Sequence, residues 1–416
     1  MSERLRTLPL PARILAVAGL LLIVWAGQNI PLPFINHDYL SGLFTGGAME
    51  FINMATGGSL RQMSVFALSV TPYITASIIM QLMSVIIPPL YEMQKNGEAG
   101  RREYKKITAA AGIVFSLIQA SGMAAGLSLD GAFTDSSVRL AVLAVAVWTL
   151  GGAAVIAISE YMDKFDLGQG ISMILCMNIL SQVPSDILLI GQRCVLEGAP
   201  LQKNVVRCAA AAAIAGCAVA AAVYGTRKKR EIPLIQTRRA ETAASSFAIP
   251  FFVCSVMPAV FASSLMALPS LILMAAPGLA SGKLGKAAQI CSMNSWFQRD
   301  LPWGGAGVVI YLALTFFCAV FYADIAVPAD ETARNLQKAG AVIPGVRPAK
   351  DTAAYLEKAV RETAIEGTAY MAAEILAVQA VFAAAGLRDV SVAGTSLFIV
   401  VSVLADTGRR IRAELA

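Results

Sequence analysis

Long apolar runs alternate with short charged ones along this chain, and windows of about 19 residues pick out candidate membrane spans. There are ten, over residues 14–30, 65–88, 107–127, 138–158, 170–190, 205–224, 247–274, 306–326, 365–385 and 390–405. The second organises the rest. Residues 64–90 are uncharged and mostly apolar, enough to cross a bilayer core of about 30 Å as a helix rising about 1.5 Å per residue. Pro72 lies inside this run and predicts a bend, while Pro88 and Pro89 predict its end. Between the first two spans, residues 42–63 read GLFTGGAMEFINMATGGSLRQM. Two glycine pairs, Glu50 and Arg61 argue against a further span. Composition alone favours an ordinary external loop; the alternative is a short half-helix folded back among the spans, where protein or water surrounds irregular backbone.

Composition agrees with the pattern. With 57% apolar and 14% charged residues among 416, and positive mean hydropathy, the chain falls outside the soluble globular range. The net charge of +6 does not imply nucleic acid, because the basic residues lie between hydrophobic runs rather than among base-stacking aromatics. They set orientation instead. With ten spans and the amino terminus inside, 24 of the 33 Lys and Arg fall on cytoplasmic segments, so both termini are predicted to be cytoplasmic. The start has basic residues before an apolar core but no small-residue cleavage site, and reads as a retained first span.

Chemistry-bearing clusters are scarce. Seven cysteines are scattered without a CxxC pair, and His37 is the single histidine, so packed thiols are expected rather than disulfides or a metal centre. No Walker loop or nucleophile elbow is present. No cofactor and no catalytic activity are expected, and any energy must come from a partner. Glu374 is an acid in the middle of the ninth span; intramembrane carboxylates often relay protons, which keeps a secondary transporter as the competing reading.

The two halves of the chain echo each other. Pro72-Tyr-Ile-Thr-Ala-Ser77 and Pro258-Ala-Val-Phe-Ala-Ser263 share a P-x-x-x-A-S pattern, each in the second span of its half, as an inverted repeat would place them. Two charged loops stand out. In TRKKREIPLIQTRRAE (226–241) basic residues surround an apolar centre, which suits topology and lipid headgroups or, more sharply, a partner. In 327–367, two helix-like stretches flank IPGVRP, a tight turn presenting Arg347.

FALSVTPYITASIIMQL, IPPL and KNGEAGRREYKK, followed by Gln119-Ala120, resemble the second and third transmembrane helices of the SecY family. NMATGGSL resembles that family's plug. NLQKAGAVIPGVRPAKDTAAYL, GISMI (170–174), PAVFASSLMALP (258–269) and AGTSL (393–397) with Asp406 extend the likeness over most of the chain. The resemblance implies an all-α polytopic membrane protein, its ten transmembrane helices forming two pseudo-symmetric inverted five-helix halves. These are 1–204, with a plug segment at 42–63, and 205–416, with cytoplasmic loops at 225–246 and 327–364. It implies a passive protein-conducting channel in the bacterial cytoplasmic membrane. Unfolded preproteins cross it, and transmembrane segments leave sideways through a lateral gate.

By motif matching, the resemblance assigns a pore ring to Val70, Ile74, Ile171, Leu175, Val260 and Ile399. It assigns the plug to Asn53, Met54, Gly57, Gly58 and Arg61, and gate contacts to Ser77, Gln81, Gln119, Ser263 and Ser264. Partner docking falls to Arg230, Ile232, Pro233, Arg238, Arg239 and Arg347. The implied partners are SecE and SecG-like small membrane subunits, the SecA motor ATPase, the ribosome, signal peptides with nascent or preprotein chains, and lipid. Glu374, Gln169 where the family commonly has Asn, IPFFVCSVMP before Pro258, a short first loop and a short tail depart from the family pattern.

Overall fold

The computed structural model describes residues 9–35, 56, 58–60, 62–95, 97–129, 133, 138–196, 201–236, 245–254, 257–275, 282–291, 304–347, 350–384 and 395–415. In chain order the elements are α1 (Leu10–Gln28), α2 (Thr71–Ile86), α3 (Pro88–Lys95), α4 (Gly97–Leu129), α5 (Val138–Asp163), α6 (Gly170–Leu196) and α7 (Leu201–Arg227). They continue with β1 (Lys229–Gln236), β2 (Ser245–Pro250), α8 (Met257–Ala275), α9 (Lys283–Cys291), α10 (Gly304–Ala326), α11 (Ala329–Lys338), β3 (Ala341–Val342), α12 (Lys350–Ala384) and α13 (Thr395–Leu415). The described residues are mostly helical. Among the described residues, six helices are long and apolar enough to cross a membrane, or seven if the bent pair α2 and α3 is one span.

The apolar pattern is turned outward. On α1, Leu15 and Leu22 are 75% and 63% exposed, whereas Arg13 and Gln28 are buried. Ser116, Asn178, Thr315 and Ser402 are likewise buried on other helices. A soluble protein does the reverse, so the solvent this surface suits is hydrocarbon.

Helix boundaries follow local chemistry. Pro72 does not bend a span as the sequence suggested; it occupies the first turn of α2, where its missing N–H was never needed. The expected span 65–88 therefore starts as a chain of turns, with Ser64 accepting from Ala67 N, Phe66 from Ser69 N and Leu68 from Thr71 N. Pro258 opens α8 in the same way, so the P-x-x-x-A-S echo sits at corresponding helix starts. The helix breaks at Ile87, which is extended, and the Pro88-Pro89 pair restarts it as α3. α4 and α12 have 33 and 35 residues, roughly 50 Å each, so both project well beyond a hydrocarbon core.

The all-helical expectation needs one correction: the two charged loops build a three-stranded sheet of order β2-β1-β3. The first four residues of the expected span 247–274 are accordingly strand, and α8 starts only at Met257. KREIPLIQ alternates its side chains, and pairing to Ser245–Pro250 places Ile232 opposite Phe247 and buries Ile232 and Ile249 against Leu356 and Val360. β3 joins through Ile235 and Val342, so the loops form one cap over a small core of their own.

α13 runs past the expected end at residue 405 because its polar tail is held. Arg13, 4% exposed, donates through Nε to the Phe165 carbonyl at 2.9 Å and through Nη1 to the Glu414 carboxylate at 2.8 and 2.9 Å. Arg410 reaches Asp166 at 3.4 Å. The first helix, the α5–α6 turn and the last helix are thus clasped at one end of the bundle. In a double-mutant cycle of Arg13→Gln and Glu414→Gln, thermal unfolding in detergent should report a coupling of about 1 kcal/mol, limited by the solvated edge of Glu414. Strictly additive losses would show that the contact contributes nothing.

Candidate functional site

Four helices bring aliphatic side chains together near the middle of the bundle. Ile74 on α2, Leu175 on α6, Val260 on α8 and Ile399 on α13 are 1–7% exposed, as is Val70, which precedes α2. They belong to one apolar cluster, and Ile171 on α6 packs at its edge. Ile74 and Val260 each stand two residues after the echoed proline. All six residues assigned to a ring by sequence therefore lie in or against one cluster, although they come from four separate stretches.

Five of the six, all except Val70, line a cavity of about 530 Å³. The same cavity is lined by Arg101, Lys105, Asp163, Asp406 and Arg410. Along α13, Asp406 and Arg410 lie roughly 10 and 16 Å beyond Ile399, so the cavity grades from an aliphatic floor to a charged rim. The rim also fixes the floor. Asp163 accepts from Lys105 at 3.0 Å and from the Gly170 amide at 2.7 Å, capping the first turn of α6 and setting the position of Ile171.

On the far side of the floor lies a buried polar group that the sequence reading did not single out. Gln28 Nε2 donates to Ser69 Oγ at 3.0 Å and to Asn178 Oδ1 at 2.8 Å, and Asn178 Nδ2 donates to Ser69 Oγ at 3.1 Å. All three residues are 0–2% exposed. A signal was available: Ile171, Leu175, Asn178 and Gln182 recur at helical spacing on one face, changing from aliphatic to amide.

Of the plug residues, Asn53, Met54, Gly57 and Arg61 lie outside the described residues. Gly58 has φ +79°, a left-handed turn beside Gln182. After it, residues 59–60 and 62–63 form turns; most of the half-helix expected over 42–63 lies outside the described residues. Ser59 Oγ donates to the Thr56 and Phe66 carbonyls at 2.6 and 3.0 Å, and Trp148 Nε1 to the Ser64 carbonyl at 3.1 Å. Gly151 makes that docking possible, since a Cβ there would stand 2.3 Å from the Val65 carbonyl oxygen.

The gate candidates divide between two places. Ser77 and Gln81 line the 530 Å³ cavity, with Gln81 Nε2 donating to Ser77 Oγ at 3.0 Å. Gln119 lines a second, apolar cavity of about 210 Å³ between α2, α4 and α8, together with Thr71, Thr75, Leu268 and Ile272. Ser263 is turned to its own helix, donating to the Ala259 carbonyl at 2.8 Å, and Ser264 is half-buried. α8 packs against both α2 and α4, so the expected seam is a contact between helices.

Among docking candidates, Ile232 is corrected. At 3% exposure it belongs to the cap's core because the sheet turns it inward. Arg230 is half-engaged by Glu362 at 3.3 Å; Pro233 and Arg347 are exposed, and Ile235 is 60% exposed. Arg347 follows Gly345, whose φ of +79° makes the tight turn, and its carbonyl accepts from Thr352 Oγ1 at 3.0 Å. Arg238 and Arg239 lie outside the described residues. Glu374 lines neither cavity. It is half-buried on α12 one turn from Tyr370, whose hydroxyl donates to the Ala221 carbonyl of α7 at 3.0 Å.

The fold is that of solved protein-conducting channels. One, described as the structure of a protein conducting channel, aligns with a TM-score of 0.71 at 18% identity, covering 96% of this chain and 91% of that one. Another, Sec61 in a canine ribosome-channel complex from the endoplasmic reticulum, aligns at 0.67 and 17% identity over 96% and 91%. The SecY family profile matches residues 64–408. Protein translocase subunit SecY of Pseudomonas aeruginosa is 32% identical over 94% of this chain and 87% of its own length; that of Synechocystis is 31% identical over 97% and 91%. The chain belongs to the SecY family.

The inward turn of Ile232 is directly measurable. In a background lacking the native cysteines, Ile235→Cys should react with a water-soluble maleimide at least tenfold faster than Ile232→Cys. Equal rates would return Ile232 to the docking surface.

Proposed function

We propose that this chain is the channel subunit of a protein translocase, passing unfolded polypeptides across a bacterial cytoplasmic membrane. The observation that carries the reading is the cavity lined by charged residues at its rim and by aliphatic residues from four helices at its floor. A polar, solvated mouth admits an unfolded chain. A floor of Val, Ile and Leu stays dry when empty and deforms around a moving backbone, which holds back ions without a fixed pore diameter. Family membership supports the same reading.

In this reading the ten helices α1, α2, α4, α5, α6, α7, α8, α10, α12 and α13 span the membrane as two inverted halves, residues 1–204 and 205–416. The sheet-bearing cap and both termini face the cytoplasm. Val70, Ile74, Ile171, Leu175, Val260 and Ile399 form the ring; residues 42–63 form the plug. The seam of α8 against α2 and α4 is the lateral gate, where an apolar segment partitions into lipid. A leucine or isoleucine favours that transfer by roughly 0.3 to 0.6 kcal/mol, and a central Lys or Arg opposes it by roughly 2.5 to 3.5 kcal/mol. Pro233, Ile235 and Arg347 present the cap to a motor ATPase of the SecA kind or to the ribosome, and SecE-like and SecG-like subunits complete the assembly. The channel performs no catalysis of its own. Glu374 lines neither cavity and relays no proton, which leaves the transporter reading without a route.

With a stalled secretory precursor as probe, a cysteine at Ile74 or Val260 should crosslink to the precursor only when it carries its signal sequence. A complex that assembles yet gives no crosslink at either position would overturn the ring. Glu374→Gln should leave precursor export within about twofold of the unaltered complex, the size of an ordinary surface or packing change; loss of export together with intact assembly would favour the transporter.

A further inference from the structure

The ring is assembled from residues on separate helices, so something must set their spacing when no polypeptide is present. Apolar contact is non-directional and does this poorly. The buried group of Gln28, Ser69 and Asn178 is directional, and it touches the ring's framework at two points. Ser69 is followed immediately by Val70 and the start of α2. Asn178 lies one turn beyond Leu175 on the same face of α6. Gln28, at the last turn of α1, donates to both.

We propose that Gln28, Ser69 and Asn178 are the latch of the constriction: positioning residues that hold α2 against α6 while the channel is idle. The inference rests on the ring reading and goes beyond it. Ser69 has φ +43°, a left-handed conformation that a residue with a Cβ adopts only when its surroundings hold it there. Its hydroxyl accepts from two amides, and those bonds are its side-chain restraint. Widening the ring by moving α2 away from α6 must break them.

The latch is also built to release. Gln28 Oε1 is buried with no hydrogen-bond donor among the described residues, so the closed arrangement leaves one acceptor unsatisfied. A polypeptide backbone entering the ring brings N–H and C=O groups at every residue, and these can satisfy both that acceptor and the amides freed when the bonds part. Opening around a chain therefore exchanges hydrogen bonds, whereas opening without one strands them in a dry interior.

Ser69→Gly gives the sharpest test, because it deletes the hydroxyl at the centre of the group while giving the backbone a residue that tolerates φ +43°. If Ser69 were only a structural position, glycine would relieve strain and leave the seal intact. The complex, with its co-purifying membrane subunits, is reconstituted in vesicles and its ion conductance read without precursor. The latch predicts that Ser69→Gly raises idle conductance about tenfold, the population shift expected for losing one or two bonds of ordinary strength. Asn178→Leu should do the same. In the same vesicles, stalled precursor should still crosslink at a cysteine placed at Val260. Idle conductance unchanged in Ser69→Gly, with the crosslink present, overturns the latch alone. Absence of the crosslink in vesicles carrying otherwise unaltered protein overturns the ring and the latch with it.

Discussion

Hydrocarbon offers no hydrogen bonds, and that constraint shapes this molecule from its helix surfaces to its centre. Leu15, Leu22, Val309 and Phe317 face outward, while serines, threonines and amides are drawn inside, where their hydroxyls bond back to carbonyls of their own helices or to one another. A helix bundle packed under this rule has polar groups available in its interior.

The apolar floor and its polar surroundings divide the labour. Ile74, Leu175, Val260 and Ile399 close the middle, but aliphatic contact alone does not choose one spacing. The directional interactions lie on either side. Asp163 caps α6 and ties it to Lys105 at the charged rim, and Gln28, Ser69 and Asn178 join α1, α2 and α6 beyond the floor. Further out, Arg13, Glu414, Arg410 and Asp166 clasp the first and last helices to the α5–α6 turn. The cap stands apart with its own core and leaves Pro233, Ile235 and Arg347 exposed.

Much of this was written in one dimension. Runs of about 20 apolar residues and the skew of Lys and Arg are local properties, so candidate spans could be read from the sequence, and motif likeness picked out aliphatic residues that share one cluster. The exact helix starts could not. Pro72 inside an apolar run looks like a kink until the preceding turns of residues 64–70 are seen to be irregular backbone stabilised by Trp148 and Gly151. KREIPLIQ reads equally as a loose basic loop or a strand, and its partner β3 lies more than 100 residues away.

The sequence by itself determined the class of solvent and the family, because both depend on residue type and near neighbours. Tertiary structure alone decided which polar groups meet. Ile232 looked like a docking residue and is core; Asn178, which the sequence did not single out, bonds to residues 28 and 69. Those outcomes depend on pairings between distant segments, where a side chain's role is set by what packing brings within 3 Å of it, and no local pattern in the chain carries that information.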